Sequence, residues 1–261
     1  MEQNQAVLYA VENEIATITL NRPKALNSMN EALVSELHSA LDQAEADKGV
    51  RVVVLTGAGR AFCAGGDLAY LRELTSPIEA RDFIATVGKL AEKIMQLSKP
   101  VVAMVNGVAA GAGFNLALAC DIVYCAASAR FAQSFSKVGL VPDCAGMYLL
   151  PRAVGTHKAK ELMFTADLIN AAEAQRLGLV NTLVEDDKLI EATYAFAEKL
   201  KQSAPLALTL IKSTVNRSGA LTLASLLEQE AHMQTVCMQT ADHKEGIAAF
   251  MEKRPPAFTG K

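Results

Sequence analysis

Residues 99–126 read KPVVAMVNGVAAGAGFNLALACDIVYCA, and their reading decides the fold. Val101, Val102, Met104 and Val105 form a short apolar run closed by the turn dipeptide Asn106-Gly107, the pattern of a strand buried on both faces. Ala109, Ala110, Gly111, Ala112 and Gly113 then carry almost no side chain, so a neighbour can approach the backbone itself. Phe114, Leu116, Leu118 and Ala119 predict a buried helix, and Asp121-Ile122-Val123-Tyr124 a return to strand. A bare helix N-terminus offers amides to developing negative charge; close packing of helix on sheet is the alternative reading of so many small residues. The dinucleotide and phosphate-loop fingerprints fail, because the segment lacks the third glycine of G-x-G-x-x-G and no glycine-lysine-serine/threonine run follows.

Upstream lies a partner for this turn. Gly57-Ala58-Gly59-Arg60-Ala61-Phe62-Cys63-Ala64-Gly65-Gly66-Asp67-Leu68 also follows an apolar strand, Val52-Val53-Val54-Leu55, and is also built of small residues. Both turns fall at the carboxyl edge of a sheet, where ligands of α/β proteins bind, and two such turns supply two converging amides. Further out, Val7–Val11 and Ile15–Leu20 read as a hairpin, and Leu33, Leu37 and Leu41 as one stripe of a helix beginning near Asn30. Ile78–Leu97 reads as a long amphipathic helix, Phe131–Asp143 as a loop with a strand-like start, and Pro142-Asp143 as the opening of a helix through Leu150. Asn170 with Glu173 resembles a capping box before a helix that Gly178 stops, Val180–Val184 reads as a strand, and beyond Lys188 the pattern is helical. The fold class is therefore α/β with a helical last third.

With 261 residues there is enough chain for one large core, and a net charge of −3 removes the electrostatic basis for broad nucleic-acid or anionic-membrane binding. No apolar run reaches membrane-spanning length, and the opening residues, with Glu2 and Glu12, lack the basic-then-apolar pattern of a signal peptide. Five cysteines without C-x-x-C spacing point to reduced thiols in a cytoplasmic-type compartment and give no support to a zinc site.

With both turns in view, the chain resembles the enoyl-CoA hydratase/isomerase (crotonase) family along nearly its whole length. The carrying residues are Asn21-Arg22-Pro23 with Ala25-Leu26-Asn27, the turn Ala61–Leu68, the turn Asn106–Asp121, the loop Phe131–Gly146 and the ending Lys253-Arg254-Pro255-Pro256. The resemblance implies a crotonase fold of repeated ββα units: a spiral core over residues 1–200 binding acyl-CoA, and a helical region over residues 201–261 used in trimer or hexamer formation. It implies an oxyanion hole from the amides of Gly66 and Ala112, and a CoA path along Ala64, Gly65, Gly66, Asp67 and Leu68. Phe258 and Lys261 are expected to close over the adenine end, a mobile C-terminus being the alternative. Coenzyme A enters as the substrate thioester, and no metal or other cofactor is implied.

Where hydratases of this family carry two glutamates, this chain has Asn115 and Phe135, neither of which acts as a general base. Asp143 is the remaining carboxylate. Its loop, Phe135-Ser136-Lys137-Val138-Gly139-Leu140-Val141-Pro142-Asp143-Cys144, looks like that of 1,2-epoxyphenylacetyl-CoA isomerases and related enoyl-CoA isomerases, in which the matching aspartate shuttles a proton. The competing reading of Asp143 is a helix N-cap. Asp67 and Asp121 are expected to bond backbone amides, Cys63 and Cys144 to be buried small hydrophobes, and Ser134, Ser136 and Asn115 to position substrate polar atoms. His38, His157, His232 and His243 read as surface or packing side chains. The expected activity is isomerisation through a thioester enolate; hydration with Asp143 activating water, and a silent acyl-CoA-binding scaffold, are the alternatives.

Overall fold

A computed structural model describes residues 5–261; residues 1–4, including the Glu2 noted above, lie outside the described residues. The amino-terminal hairpin pairs β1 (Val7–Glu12) with β2 (Ile15–Leu20), turned by Asn13 and Glu14, both left-handed as a tight two-residue turn requires. Asn30 caps α1 (Glu31–Ala46) by accepting from the Leu33 amide, and the helix buries Leu33, Leu37 and Leu41. Each leucine contributes about 1.5–3 kcal/mol of burial before entropy is counted.

Three strand pairs follow, each feeding helix: β3 (Val52–Gly57) and β4 (Ala61–Cys63) lead to α2 (Leu68–Glu73) and α3 (Pro77–Gln96). After β5 (Val101–Val105) and β6 (Val108–Ala110) comes α4 (Ala112–Ala119). Next, β7 (Ile122–Ala126) and β8 (Arg130–Ala132) lead through a 3-10 turn, Ser134–Val138, to α5 (Gly146–Val154) and α6 (Thr156–Thr165). The chain continues with β9 (Ile169–Asn170), α7 (Ala171–Arg176) and β10 (Thr182–Val184), then α8 (Leu189–Lys201), α9 (Pro205–Ser218), α10 (Leu223–Met238) and α11 (Ala241–Glu252).

Within each pair the two strands belong to different sheets. One sheet runs β1-β2-β3-β5-β7-β10, parallel from β2 onward; the other runs β4-β6-β8-β9, with only β8 and β9 antiparallel. This is the repeated ββα unit of the crotonase fold. The main core lies on one face of the larger sheet, while α8 covers the other, setting Leu189 and Ala197 against Ile15, Val52, Val54 and Val102. Hence β3 and β5 are apolar at successive positions instead of alternating.

Several expectations change in detail. The helix expected from Pro142-Asp143 begins at Gly146, and α6 lies in a stretch where no helix was expected. At α7 the Asn170 side chain accepts from the Glu173 amide at 2.8 Å, but the Glu173 carboxylate pairs with Arg176, so only half of the capping box forms. Among the described residues, no helix is long and apolar enough to cross a membrane.

Asn27 stitches the first glycine-rich turn. Fully buried and left-handed, it donates to the carbonyls of Ala58 at 2.9 Å and Ala61 at 2.8 Å and accepts from the Arg22 amide at 2.9 Å. Replacing it with Ala strands these partners, so Asn27→Ala is expected to destabilise the protein by about 2–4 kcal/mol, read as a lower urea midpoint.

Candidate active site

The two turns meet at the carboxyl ends of their strands. A parallel bridge joins Met29 to Gly66: the Met29 amide donates to the Gly65 carbonyl at 2.7 Å, and the Asp67 amide donates to the Met29 carbonyl at 2.9 Å. Gly66 N–H therefore faces away from Met29, and Gly66 lines a cavity on that side. In the second turn Gly111 adopts φ 52° and ψ −127°, a mirror-image extended conformation open to glycine. Its carbonyl accepts from the Asn115 amide at 3.1 Å, the first bond of α4, so the amides of Ala112, Gly113 and Phe114 have no acceptor within the helix. The turns are in direct contact, since a Cβ placed on Gly65 would stand 2.9 Å from the Ala110 carbonyl oxygen and 3.6 Å from the Ala112 nitrogen.

Between them opens a cavity of about 330 Å³. It is lined by Phe83, Ile84 and Val87 of α3 and by Phe135 and Val138 of the 3-10 turn. Ala64, Gly65, Gly66, Leu68, Ala112 and Asp143 also border it, as does Ser134. Phe135 stands where the resemblance places a hydratase glutamate, and its ring lies close to Gly111.

Five expected site residues lie elsewhere, among them the exposed Ser136, whose hydroxyl donates to the Phe164 carbonyl at 3.2 Å. Asp67 caps α2 through the amides of Ala69 and Tyr70 and pairs with Arg22 at 2.9 Å. Partial burial pushes its carboxyl up, but the Arg22 and backbone donors outweigh this and hold it below its ordinary value. Asn115 is fully buried behind the cavity wall, its amide nitrogen 2.8 Å from the Asp143 carbonyl oxygen. Phe258 and Lys261 do not reach the cavity of their own chain. Their segment is stapled to α11, where the Asp242 carboxylate accepts from the Thr259 and Gly260 amides and the Asp242 amide donates to the Lys261 carbonyl at 3.1 Å.

Asp143 is not a helix cap. The residue before α5 is Ala145, no side chain caps the helix, and Asp143 Oδ1 is buried with no hydrogen-bond partner. Burial raises its pKa to about 6, against a smaller downward pull from its own backbone amide. The folded state thus binds the extra proton between the ordinary 3.8 and about 6, and stability falls as pH rises through that window. Discounted for partial exposure, this rise in pKa corresponds to about 1–3 kcal/mol. Asp143→Asn, which mimics the neutral acid, is expected to match the parent near pH 4 and to be the more stable protein above pH 6, in urea titrations across that range.

Lys137 also borders the cavity; the buried thiols and Asp121 offer no rival to Asp143. Burial pushes the Cys63 thiol up to about 12 and the Cys144 thiol well above its usual value, so neither is a ready thiolate. Asp121 accepts from the Val101 amide at 2.7 Å and pairs with Lys212 at 2.8 Å, a structural bond between the start of β5 and α9. Among the described residues no group of three His, Cys, Asp or Glu side chains gathers as metal ligands.

A cavity bordered by Gly66, Ala112 and one desolvated carboxylate suits proton transfer beside a carbonyl. The family model described as enoyl-CoA hydratase/isomerase matches residues 10–261. The chain belongs to the enoyl-CoA hydratase/isomerase family. Its relatives include a 1,2-epoxyphenylacetyl-CoA isomerase of Escherichia coli (strain K12), 41% identical with 98% of each chain covered. They also include a short-chain-enoyl-CoA hydratase of Clostridium acetobutylicum, 39% identical with 97% of each chain covered. An enoyl-CoA hydratase structure from Bacillus anthracis superposes with a TM-score of 0.93 at 36% identity, covering 99% of this chain and 100% of that one. Within this enoyl-CoA hydratase/isomerase family protein, Asn27 stood in the sequence only as part of the Ala25-Leu26-Asn27 motif, without a role, and Gln133 carried no reading of its own. Each is a polar residue buried at a turn, and only the motif containing Asn27 gave any signal.

Proposed function

We propose that this acyl-CoA enzyme is an isomerase, shifting a double bond or opening a strained ring beside the thioester carbonyl. The observation that carries the reading is the single carboxylate on the cavity wall, Asp143, with Phe135 and the withdrawn Asn115 in the places where hydratases hold glutamates.

In this reading the thioester oxygen lies between the amides of Gly66 and Ala112. Asp143 takes a proton from the carbon next to the carbonyl, and that C–H electron pair moves toward the thioester oxygen as the enolate forms. The amides hold the charge, and the neutral acid then returns its proton to another carbon of the conjugated system while the carbonyl reforms. No net electron transfer or added water is needed, and coenzyme A is part of the substrate. The apolar wall of Phe83, Ile84, Val87 and Val138 favours an uncharged acyl group. Assembly as a homotrimer or hexamer belongs to the same reading, since Phe250 and Met251 on α11 are 84% and 78% exposed in one chain.

Hydration is the second reading, supported by the hydratase name of the relative from Clostridium acetobutylicum. Incubation of 2-enoyl, 3-enoyl and phenylacetyl-epoxide thioesters in deuterium oxide, read by mass spectrometry and proton NMR, separates the two. An isomer without added water is the expected product. A product heavier by one water establishes hydration instead, and binding without turnover establishes a silent scaffold.

A further inference from the structure

Asn115 is wholly buried and Gln133 is 1% exposed, yet each engages the other: Gln133 Nε2 donates to Asn115 Oδ1 at 2.7 Å. Asn115 Nδ2 in turn donates to the backbone carbonyl of Asp143 at 2.8 Å, a carbonyl that also accepts from the Gly146 amide at 2.8 Å. The loop sits directly on this amide, for a Cβ on Gly146 would collide with the Asn115 side chain. Cys144 and Ala145, immediately after Asp143, are both left-handed at φ 47° and 60°, a conformation that residues with a Cβ keep only when their surroundings impose it. Asn115 also stands one turn along α4 from Ala112, whose amide is the second oxyanion donor.

We propose that Asn115 and Gln133 are positioning residues, which tie the loop carrying Asp143 to the helix that presents the Ala112 amide. This rests on the reading of Asp143 as the proton carrier. One rigid helix then sets both the place of the developing oxyanion and the place of the group that moves the proton. A shape-matched apolar pair would fill the same space without demanding hydrogen bonds, so packing alone does not call for two amides here. A carboxylate at position 115 would face the Asp143 carbonyl acceptor to acceptor, which is why the amide, with a donor on one side and an acceptor on the other, suits the place.

The test compares the parent enzyme, Asn115→Leu and Gln133→Met on whichever thioester of the panel the enzyme turns over, with Asp143→Asn beside them. Asn115→Leu is expected to lower kcat about 30-fold to 100-fold with KM within about threefold, the pattern of lost geometry at the reacting atoms. Gln133→Met, which leaves the bond to the Asp143 carbonyl but frees Asn115 Oδ1, is expected to lose about 3-fold to 10-fold. Deuterium uptake from solvent per turnover is expected to rise in both, because a displaced carrier exchanges its proton before returning it; a role in folding alone does not move this ratio. The proposal is overturned if Asn115→Leu keeps parental kcat and deuterium uptake while Asp143→Asn is inactive. Should Asn115→Leu not fold, Gln133→Met decides by the same two readouts. If Asp143→Asn itself turns over normally, it is the proton-carrier reading that falls, and the positioning role with it.

Discussion

Asp143→Asn is expected to lower kcat by about a hundredfold to ten-thousandfold, the range in which a positioned general base contributes, with KM nearly unchanged because the amide fills the same space. The loss follows from the composition of the cavity, whose wall holds one carboxylate, one lysine (Lys137) and no histidine, so removal of Asp143 leaves no second carboxylate or imidazole to replace it. In the parent enzyme kcat/KM is expected to decline below pH about 6, as burial holds the carboxyl neutral there and only the ionised form accepts a proton. The acid limb should disappear in the variant together with the activity. A variant that keeps parental kcat, or a parent limb lying at the ordinary carboxylate pKa, would remove Asp143 from the chemistry. The same substitution is expected to raise stability at neutral pH, which separates lost chemistry from lost fold in a single protein.

Ala112→Pro is expected to reduce kcat/KM by about a hundredfold to a thousandfold, the loss associated with one oxyanion-hole donor. Ala112 is the first residue of α4 and its N–H has no bond within the helix, so proline removes the donor without removing a helical hydrogen bond. Ala112 borders the cavity, so the proline ring is expected to be accommodated there. Gly111, in its mirror-image extended conformation, satisfies the demand of a following proline for an extended neighbour. Ala112→Gly keeps the amide and is expected to keep most of the activity. Equal losses in the two variants, at unchanged thermal stability, would show that the side-chain volume at this place matters and the amide does not.

Much of this arrangement is legible in the chain itself. The strands around Val52 and Val101, the leucine stripe of α1 and the positions of both glycine-rich turns follow from local pattern, because each depends on a periodicity or a turn conformation contained in a few neighbouring residues. The second sheet does not, since β4, β6 and β8 are each three residues long, too short to show a period. The helix after Asp143 was expected three residues early because Pro142-Asp143 is a locally sound start. The loop instead turns through Cys144 and Ala145 so that Gly146 can pack on Asn115.

The sequence by itself determined the family, the α/β architecture and the identity of the lone carboxylate, since these reside in residue type and spacing. The tertiary structure alone decided that Asn115 is withdrawn behind the wall, that Asp67 serves a helix, and that the carboxyl-terminal tail is tied to α11 away from its own cavity. It also decided that Asp143 is desolvated enough to titrate near the middle of the pH range. Each of these depends on which distant segments exclude water from a polar group or supply its hydrogen-bond partner, and that is settled only when the chain closes on itself.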